Sequence, residues 1–451
     1  MNFVDVEEME NIPAETMKKL YKNHCNPAFQ KILKYSDTEI DFVRSCGMNV
    51  YDKYGNEYLD FVGGFGALNI GHNDERVLKA INDFSYKPNL LQIAERPAEA
   101  ILANDISFLT KDEFPYCVFT NSGTETVEEA IKLSLLYNKG GNIIYFSGAY
   151  HGKTIGSLSA LGSKSKESYD PLMYNFIEVP FGDIDAIKEV VQNTNVAAIL
   201  AEPIQGEGGI VIPPENFFKQ VRKICDKEDI ILIMDEIQTG LGRCGSMFFY
   251  EQLGILPDIL CLSKSLSGGY MPIGAMCVEP ILWEETYGKV KNATLISNTF
   301  GGNNLACVAA IKTLSIIQEE QLDKKAYDLG IYTLGLLAQV KNKHKNIIKA
   351  VRGRGLMIGI EFNNLKGVIP DKTMELMMST VISKMMNEYR IITSYTSNNP
   401  AVLRVEPPLI VTKEQINYFI ESFDNVLNEE GSLFKLGLCS VRNMARNVYT
   451  N

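Results

Sequence analysis

Four short, mostly apolar runs constrain the fold of this chain most: Asn142-Ile143-Ile144-Tyr145-Phe146, Val196-Ala197-Ala198-Ile199-Leu200, Ile230-Ile231-Leu232-Ile233-Met234 and Asp258-Ile259-Leu260-Cys261-Leu262. They fall between about residue 115 and residue 275 and alternate with amphipathic helical stretches. A strand with one wet face alternates apolar and polar side chains, whereas runs apolar on both alternations suit strands covered on both faces. The pattern predicts an α/β fold, a large unit whose mainly parallel sheet is covered by helices. After about residue 310 the pattern changes to long helices, a strand over Val351 to Phe362, more helix and a last strand near Val402-Leu403-Arg404-Val405, which predicts a smaller α+β unit. Ahead of the sheet, helical patterns break at Asn26-Pro27, and Tyr51 to Asp60 reads as a hairpin turning at Gly55-Asn56. The expected organisation is an N-terminal segment over 1–46 that completes the small unit, a large unit over 47–310 and the small unit proper over 311–451.

Charge and composition exclude several functions. Lys and Arg number 44 against 55 Asp and Glu, a net charge of -11 that repels polyanions, so nucleic acid is not expected as a partner. The acidic start, Met1 to Glu8, and the lack of any run of about 18 apolar residues predict a cytoplasmic protein with no membrane contact. Nine cysteines without a Cys-x-x-Cys pair, and four dispersed histidines, predict neither a disulfide framework nor a metal site. The tail after Leu433 is mildly basic, with Arg442 and Arg446, and has no functional reading.

Ligands in open parallel sheets sit beyond the carboxyl ends of the strands. One predicted strand runs into Asp235-Glu236-Ile237-Gln238-Thr239-Gly240, and the next into Ser263-Lys264-Ser265-Leu266-Ser267-Gly268-Gly269. An acid and a lysine thus stand at two consecutive strand ends. A strand-tip aspartate alone is more often a helix cap, and a lone lysine is more often solvated. The pair fits pyridoxal-phosphate chemistry, in which a lysine forms a Schiff base with the cofactor aldehyde and an acid pairs with the pyridine nitrogen. Thr120-Asn121-Ser122-Gly123-Thr124-Glu125-Thr126, just before a predicted helix, offers free N–H groups and the positive helix end to a phosphate. Taken alone it reads more readily as an ordinary helix cap. Gly64-Phe65-Gly66 is a weaker phosphate candidate and reads as a tight turn near the site.

These segments, with Leu59-Asp60-Phe61, Gly71-His72, Gly148-Ala149-Tyr150-His151-Gly152-Lys153, Glu202-Pro203-Ile204-Gln205-Gly206-Glu207-Gly208-Gly209, Pro272-Ile273-Gly274-Ala275 and Thr299-Phe300-Gly301-Gly302-Asn303, resemble the class III aminotransferases of fold type I. The resemblance covers nearly the whole chain. It implies pyridoxal 5'-phosphate as cofactor, Lys264 and Asp235 as catalytic residues, and phosphate binding by Ser122, Gly123 and Thr124. It also implies that Tyr150 stacks on the cofactor ring, that Gln238 contacts the phenolic oxygen, and that His151 and Glu202 stand around the cofactor. Thr299 would reach the cofactor phosphate of a neighbouring subunit, which implies a homodimer or a tetramer built from it. Arg404 resembles the family arginine that grips a substrate carboxylate, and Glu207 the carboxylate that pairs with it when the amine has none. Lys153 stands where several relatives carry an arginine for a distal carboxylate, a departure that leaves that contact open. Within the class, Asn26-Pro27-Ala28-Phe29, Val62 to Gly66, Lys153 and Arg404-Val405-Glu406-Pro407-Pro408-Leu409 most resemble the putrescine aminotransferases, which implies a terminal diamine as donor and 2-oxoglutarate as acceptor. Related enzymes acting on ornithine derivatives, 4-aminobutyrate, lysine or secondary-metabolite amines are the alternative donors' reading. A racemase or aminomutase on the same fold, and a cofactor-bound regulatory protein without turnover, are the alternatives in kind. A nicotinamide enzyme is disfavoured because Asn69 stands where the dinucleotide fingerprint needs its third glycine.

Overall fold

The computed structural model describes residues 4–364 and 369–431; the basic tail lies outside the described residues. The chain opens with helices Ala14–His24 and Pro27–Tyr35, then strands β1 (Phe42–Cys46), β2 (Asn49–Asp52) and β3 (Glu57–Asp60). The expected hairpin is β2 and β3, paired antiparallel with Gly55 left-handed in the turn at φ 81°.

The large sheet comprises β4 (Tyr116–Thr120), β5 (Asn142–Phe146), β6 (Phe176–Val179), β7 (Val196–Ala201), β8 (Ile231–Asp235), β9 (Ile259–Leu262) and β10 (Gly274–Val278), in the order β4-β10-β9-β8-β7-β5-β6. Neighbours from β9 to β6 pair parallel, and β10 runs antiparallel to both β9 and β4. The four runs read from the sequence are β5, β7, β8 and β9, and β7, β8 and β9 are buried at every position. Each of Ile231, Leu232, Ile233 and Met234 withdraws an aliphatic side chain from water, worth about 1.5–3 kcal/mol apiece. Burial on both faces is what their unbroken apolar pattern encodes. Because β4, β5, β7, β8 and β9 point the same way, the residues that follow them emerge along one edge of the sheet.

The second antiparallel sheet has the order β11-β12-β15-β14, from β11 (Ile348–Arg354), β12 (Met357–Phe362), β14 (Ser394–Tyr395) and β15 (Val402–Val405), with the two-residue β13 (Ile391–Ile392) lying outside it. The single strand expected over Val351 to Phe362 is instead the hairpin β11–β12, pairing Arg354 with Met357. Its turn is made by Gly355 at φ 52°, where a Cβ would stand 2.5 Å from the carbonyl oxygen of Arg243. Apolar residues on both sides of that glycine hid the reversal. β13 pairs parallel with β3, and Asn387 Nδ2 donates to the carbonyl of Asp37 at 2.8 Å, so the first sixty residues meet the C-terminal part. Residue 310 lies within the helix Asn304–Glu319, which packs on Glu75–Phe84 and Pro97–Leu109, while the next helix, Leu322–Lys343, packs on β11. Among the described residues no helix is long and apolar enough to cross a membrane.

Candidate active site

A cavity of about 330 Å³ opens at the edge where the parallel strands end, lined by residues that follow β4, β5, β7, β8 and β9. A larger depression of about 580 Å³ between Lys219, Arg222 and Glu279 lies at the opposite edge, where strands enter. The chemistry gathers in the smaller one.

Lys264 follows β9 in a short turn, Lys264–Ser267, with a left-handed φ of 39° that is costly for any residue with a Cβ. The neighbouring Ser263 hydroxyl, which donates to the Ile273 carbonyl at 2.7 Å, ties this turn to the segment before β10. Burial pushes the Lys264 amine below its usual range, although Glu406, Glu207 and Glu202 pull the other way. A lysine so placed loses its proton more readily than a solvated one, as a nucleophile and base must.

Asp235 is the last residue of β8. One carboxylate oxygen accepts the Ile237 N–H at 3.1 Å, and the other lies 2.7 Å from His151 Nδ1, with both side chains buried. His151 Nε2 has no partner among the described residues. Glu202, after β7, accepts the N–H groups of Tyr150 and Gly206, each at 2.9 Å. Burial pushes its carboxyl up to about 7, against the pull of His151 and with the push of Asp235. An acid whose folded pKa is raised stabilises the fold fully below its unfolded pKa and loses that contribution as pH rises to the folded value. The melting temperature of the wild type should therefore fall relative to Glu202→Gln between about pH 4.5 and pH 7, as read by thermal unfolding across that window. Parallel pH profiles for the two proteins would refute the assignment.

The helix Gly123–Tyr137 starts in the cavity wall, capped by the Ser122 hydroxyl, which accepts the Glu125 N–H. Glu125 folds back onto Asn121, accepting from its backbone and side-chain nitrogens at 2.7 and 2.9 Å. That carboxylate is thereby held off the helix end, whose dipole and free N–H groups remain for an anion. A Cβ at Gly123 would stand 2.9 Å from Ile237 Cδ1, so a side chain there would push that isoleucine aside. Thr239 adds a buried hydroxyl without a partner among the described residues.

Behind Gln238, Arg404 on β15 is wholly buried, with Nη2 at 2.5 Å from Glu207 Oε1 and Nη1 at 3.2 Å from Glu406 Oε2. Burial alone would raise Glu207, but Arg404 holds its carboxyl below the usual range. The Phe65 ring covers the guanidinium at 5.0 Å, so the turn at Gly64-Phe65-Gly66 serves Arg404.

The structure therefore brings Gly123, Thr124, Tyr150, His151, Lys153, Glu202, Asp235, Gln238 and Lys264 around one cavity, with Ser122, Glu207 and Arg404 beside it. Thr299 is apart from these: it is exposed, outside the cavity lining, and its carbonyl accepts from Gln92 Nε2 at 2.5 Å. Glu406 and Thr239 had no role in the sequence reading. The signal for Glu406 was its place two residues after Arg404, an acid directly following an otherwise apolar strand.

The residues present fit pyridoxal phosphate: a desolvated lysine, a strand-tip carboxylate fixed by a histidine, and a helix N-terminus with free donors converge on one cavity. Such a site on a mainly parallel sheet defines a fold-type I pyridoxal-phosphate enzyme. The chain belongs to the class III aminotransferases, the family whose model, Aminotransferase class-III, matches residues 33–427. It is 34% identical to Aminotransferase PigE of Serratia sp. (strain ATCC 39006) over 95% of its own length, yet spans only 55% of that relative. Among solved structures, it is similar to the ornithine aminotransferase of Toxoplasma gondii ME49 at a TM-score of 0.83 and 26% identity, covering 95% of this chain and 100% of that one. It is also similar to a PLP-bound amine transaminase of an uncultivated Pseudomonas species at a TM-score of 0.79 and 25% identity, covering 86% and 95%.

Proposed function

We propose that the chain moves the terminal amino group of a diamine of the putrescine or cadaverine type to 2-oxoglutarate, releasing an aminoaldehyde and glutamate. The observation that carries this reading is the Arg404–Glu207 pair at 2.5 Å. A site whose carboxylate-gripping arginine is already paired accepts an amine with no carboxylate at its reacting end. Withdrawal of Glu207 then opens the same arginine to a keto acid, without leaving it unpaired once the acid is bound. The likeness to an ornithine aminotransferase supports a donor that carries two amino groups.

Pyridoxal phosphate, when bound, supplies the aldehyde that holds the amine and a ring that takes up the electrons released at the substrate carbon. Lys264 Nζ, desolvated at the cavity, would be the group that moves a proton there, first as base and then as acid. Asp235, its second oxygen fixed by His151, would pair with the positive ring nitrogen. The N–H groups of Gly123 and Thr124, with the Ser122 and Thr124 hydroxyls, would hold the phosphate. Tyr150 would cover a ring face, Gln238, whose Nε2 is held by Glu406, would face the phenolic oxygen through Oε1, and Glu202 orients the Tyr150 backbone through its N–H. Lys153, exposed at the cavity wall and without an ion pair among the described residues, stands ready for a distal carboxylate. The exposure of Thr299 supports a homodimer in which it serves the neighbouring site. On the same reading, the large and small units divide at Gln321, between the helices Asn304–Glu319 and Leu322–Lys343.

The test is a panel of 1,4-diaminobutane, 1,5-diaminopentane, L-ornithine, 4-aminobutyrate and L-lysine against 2-oxoglutarate, read by glutamate formation. Turnover of the two diamines with the highest kcat/KM is expected; amino acids alone as donors would sink the diamine assignment. Arg404→Ala should raise the KM for 2-oxoglutarate about a hundredfold, since losing one partner of a buried charge pair costs about 2–5 kcal/mol. An unchanged KM would remove Arg404 from substrate binding.

A further inference from the structure

Glu406 stands two residues after Arg404, just past the end of β15, and its side chain meets the guanidinium. Its side chain is wholly buried, and its two oxygens accept from Gln238 Nε2 at 2.8 and 3.0 Å while Oε2 lies 3.2 Å from Arg404 Nη1. Its backbone is pinned on both sides. Its own N–H donates to the Phe61 carbonyl at 2.9 Å, and Gly63 packs so closely that a Cβ there would stand 2.6 Å from the Glu406 carbonyl oxygen.

Glu207 is held differently. Its side chain is 15% exposed and sits in a loop, where Oε2 accepts the Ser397 N–H at 2.7 Å and Oε1 meets Arg404 Nη2. The guanidinium is therefore divided between an immobile carboxylate at Nη1 and an accessible one at Nη2. Arg404 Nε is buried and has no partner among the described residues. Nε and Nη2 together form the side-on edge of a guanidinium, a planar fork that matches a carboxylate with two parallel N–H donors. One prong is occupied by Glu207 and the other is open.

We infer that Glu406 is a positioning residue that stays on Arg404 through both halves of the reaction, presenting the Nε/Nη2 edge for exchange between Glu207 and a substrate carboxylate while fixing the amide of Gln238. This rests on the reading of Arg404 as the group that grips that carboxylate. Departure of one partner from a buried arginine normally leaves a costly uncompensated charge. With Glu406 in place, Glu207 can leave and Arg404 remains paired. An ionised carboxylate accepts and never donates, so Glu406 also selects the Gln238 rotamer, taking Nε2 and turning Oε1 away from itself. One fixed acid thereby links the cofactor side of the cavity to its substrate side.

The experiment measures calorimetric binding of glutarate, an unreactive dicarboxylate, to the pyridoxal-phosphate-loaded enzyme in the wild type and in Glu406→Ala, Glu406→Ser, Glu406→Gln and Arg404→Ala. Glu406→Ala and Glu406→Ser should each weaken glutarate about tenfold, the scale of one lost charge-assisted hydrogen bond. Glu406→Gln, whose amide carbonyl still accepts from Nη1, should recover to within about threefold of the wild type. Two shortened variants are used so that the failure of one to fold does not remove the test. Unchanged or tighter glutarate in a folded shortened variant, or no recovery by Glu406→Gln, overturns the inference. A loss in Arg404→Ala with none in the Glu406 variants overturns it alone, whereas no loss in Arg404→Ala overturns the reading of Arg404 as well.

Discussion

Lys264→Ala is expected to lower kcat for amine transfer by about 10⁴-fold, the upper range for a positioned acid–base group, or about 5 kcal/mol of barrier. The size follows from the lysine's surroundings. Burial lowers the affinity of its amine for a proton, and among the described residues no lysine but Lys153, exposed and at a different strand exit, also borders the cavity. The variant should still bind pyridoxal phosphate, since the Gly123–Thr124 end and Asp235 are untouched. It should, however, fail to be trapped covalently by borohydride, which fixes the cofactor to the wild type. Residual activity above about one per cent, or covalent trapping in the variant, would show that another amine does the work.

Asp235→Asn is expected to lower kcat about 10²- to 10³-fold while leaving the fold intact. Asparagine preserves the shape and an acceptor for the Ile237 N–H, now at 3.1 Å from the carboxylate. It removes the negative charge that would hold a proton on the ring nitrogen, in a site where both Asp235 and His151 are shielded from water and charge is poorly screened. Loss of one partner from such a buried pair costs about 2–5 kcal/mol, which spans the expected decrease. Steady-state kinetics on the cofactor-saturated variant, with circular dichroism as the control for folding, measures it. A kcat within threefold of the wild type would take the aspartate out of the chemistry.

The large unit was legible because its strands announce burial on both faces. β7 and β8 have no polar position before their tips, so parallel pairing and the edge bearing Asp235 and Lys264 followed from pattern alone. Sequence cannot say which strand exits face one another. His151 and Asp235 are 84 residues apart and meet at 2.7 Å only because β5 and β8 flank β7. The Gln238–Glu406 contact spans 168 residues and depends on how the second sheet docks at the cavity, so an acid between Val405 and Pro407 carried no visible role. The reversal at Gly355 was missed for a local reason. Gly353-Arg354-Gly355 sits between two apolar runs that read as one, and a left-handed glycine leaves no periodicity to mark it. The capping of Gly123–Tyr137 by Ser122 was plain from residue types, whereas the turning of Glu125 onto Asn121 is a side-chain choice made by the folded neighbourhood.

The most direct measurement mixes the pyridoxal-phosphate-loaded enzyme with 1,4-diaminobutane alone and follows the cofactor absorbance and the products in a single turnover. The account predicts one equivalent of aminoaldehyde per subunit, the cofactor left in its amine form, and restoration of the aldehyde form with one equivalent of glutamate when 2-oxoglutarate is added. A cofactor unchanged by every amine in the panel, or one that cycles without an acceptor, would contradict it.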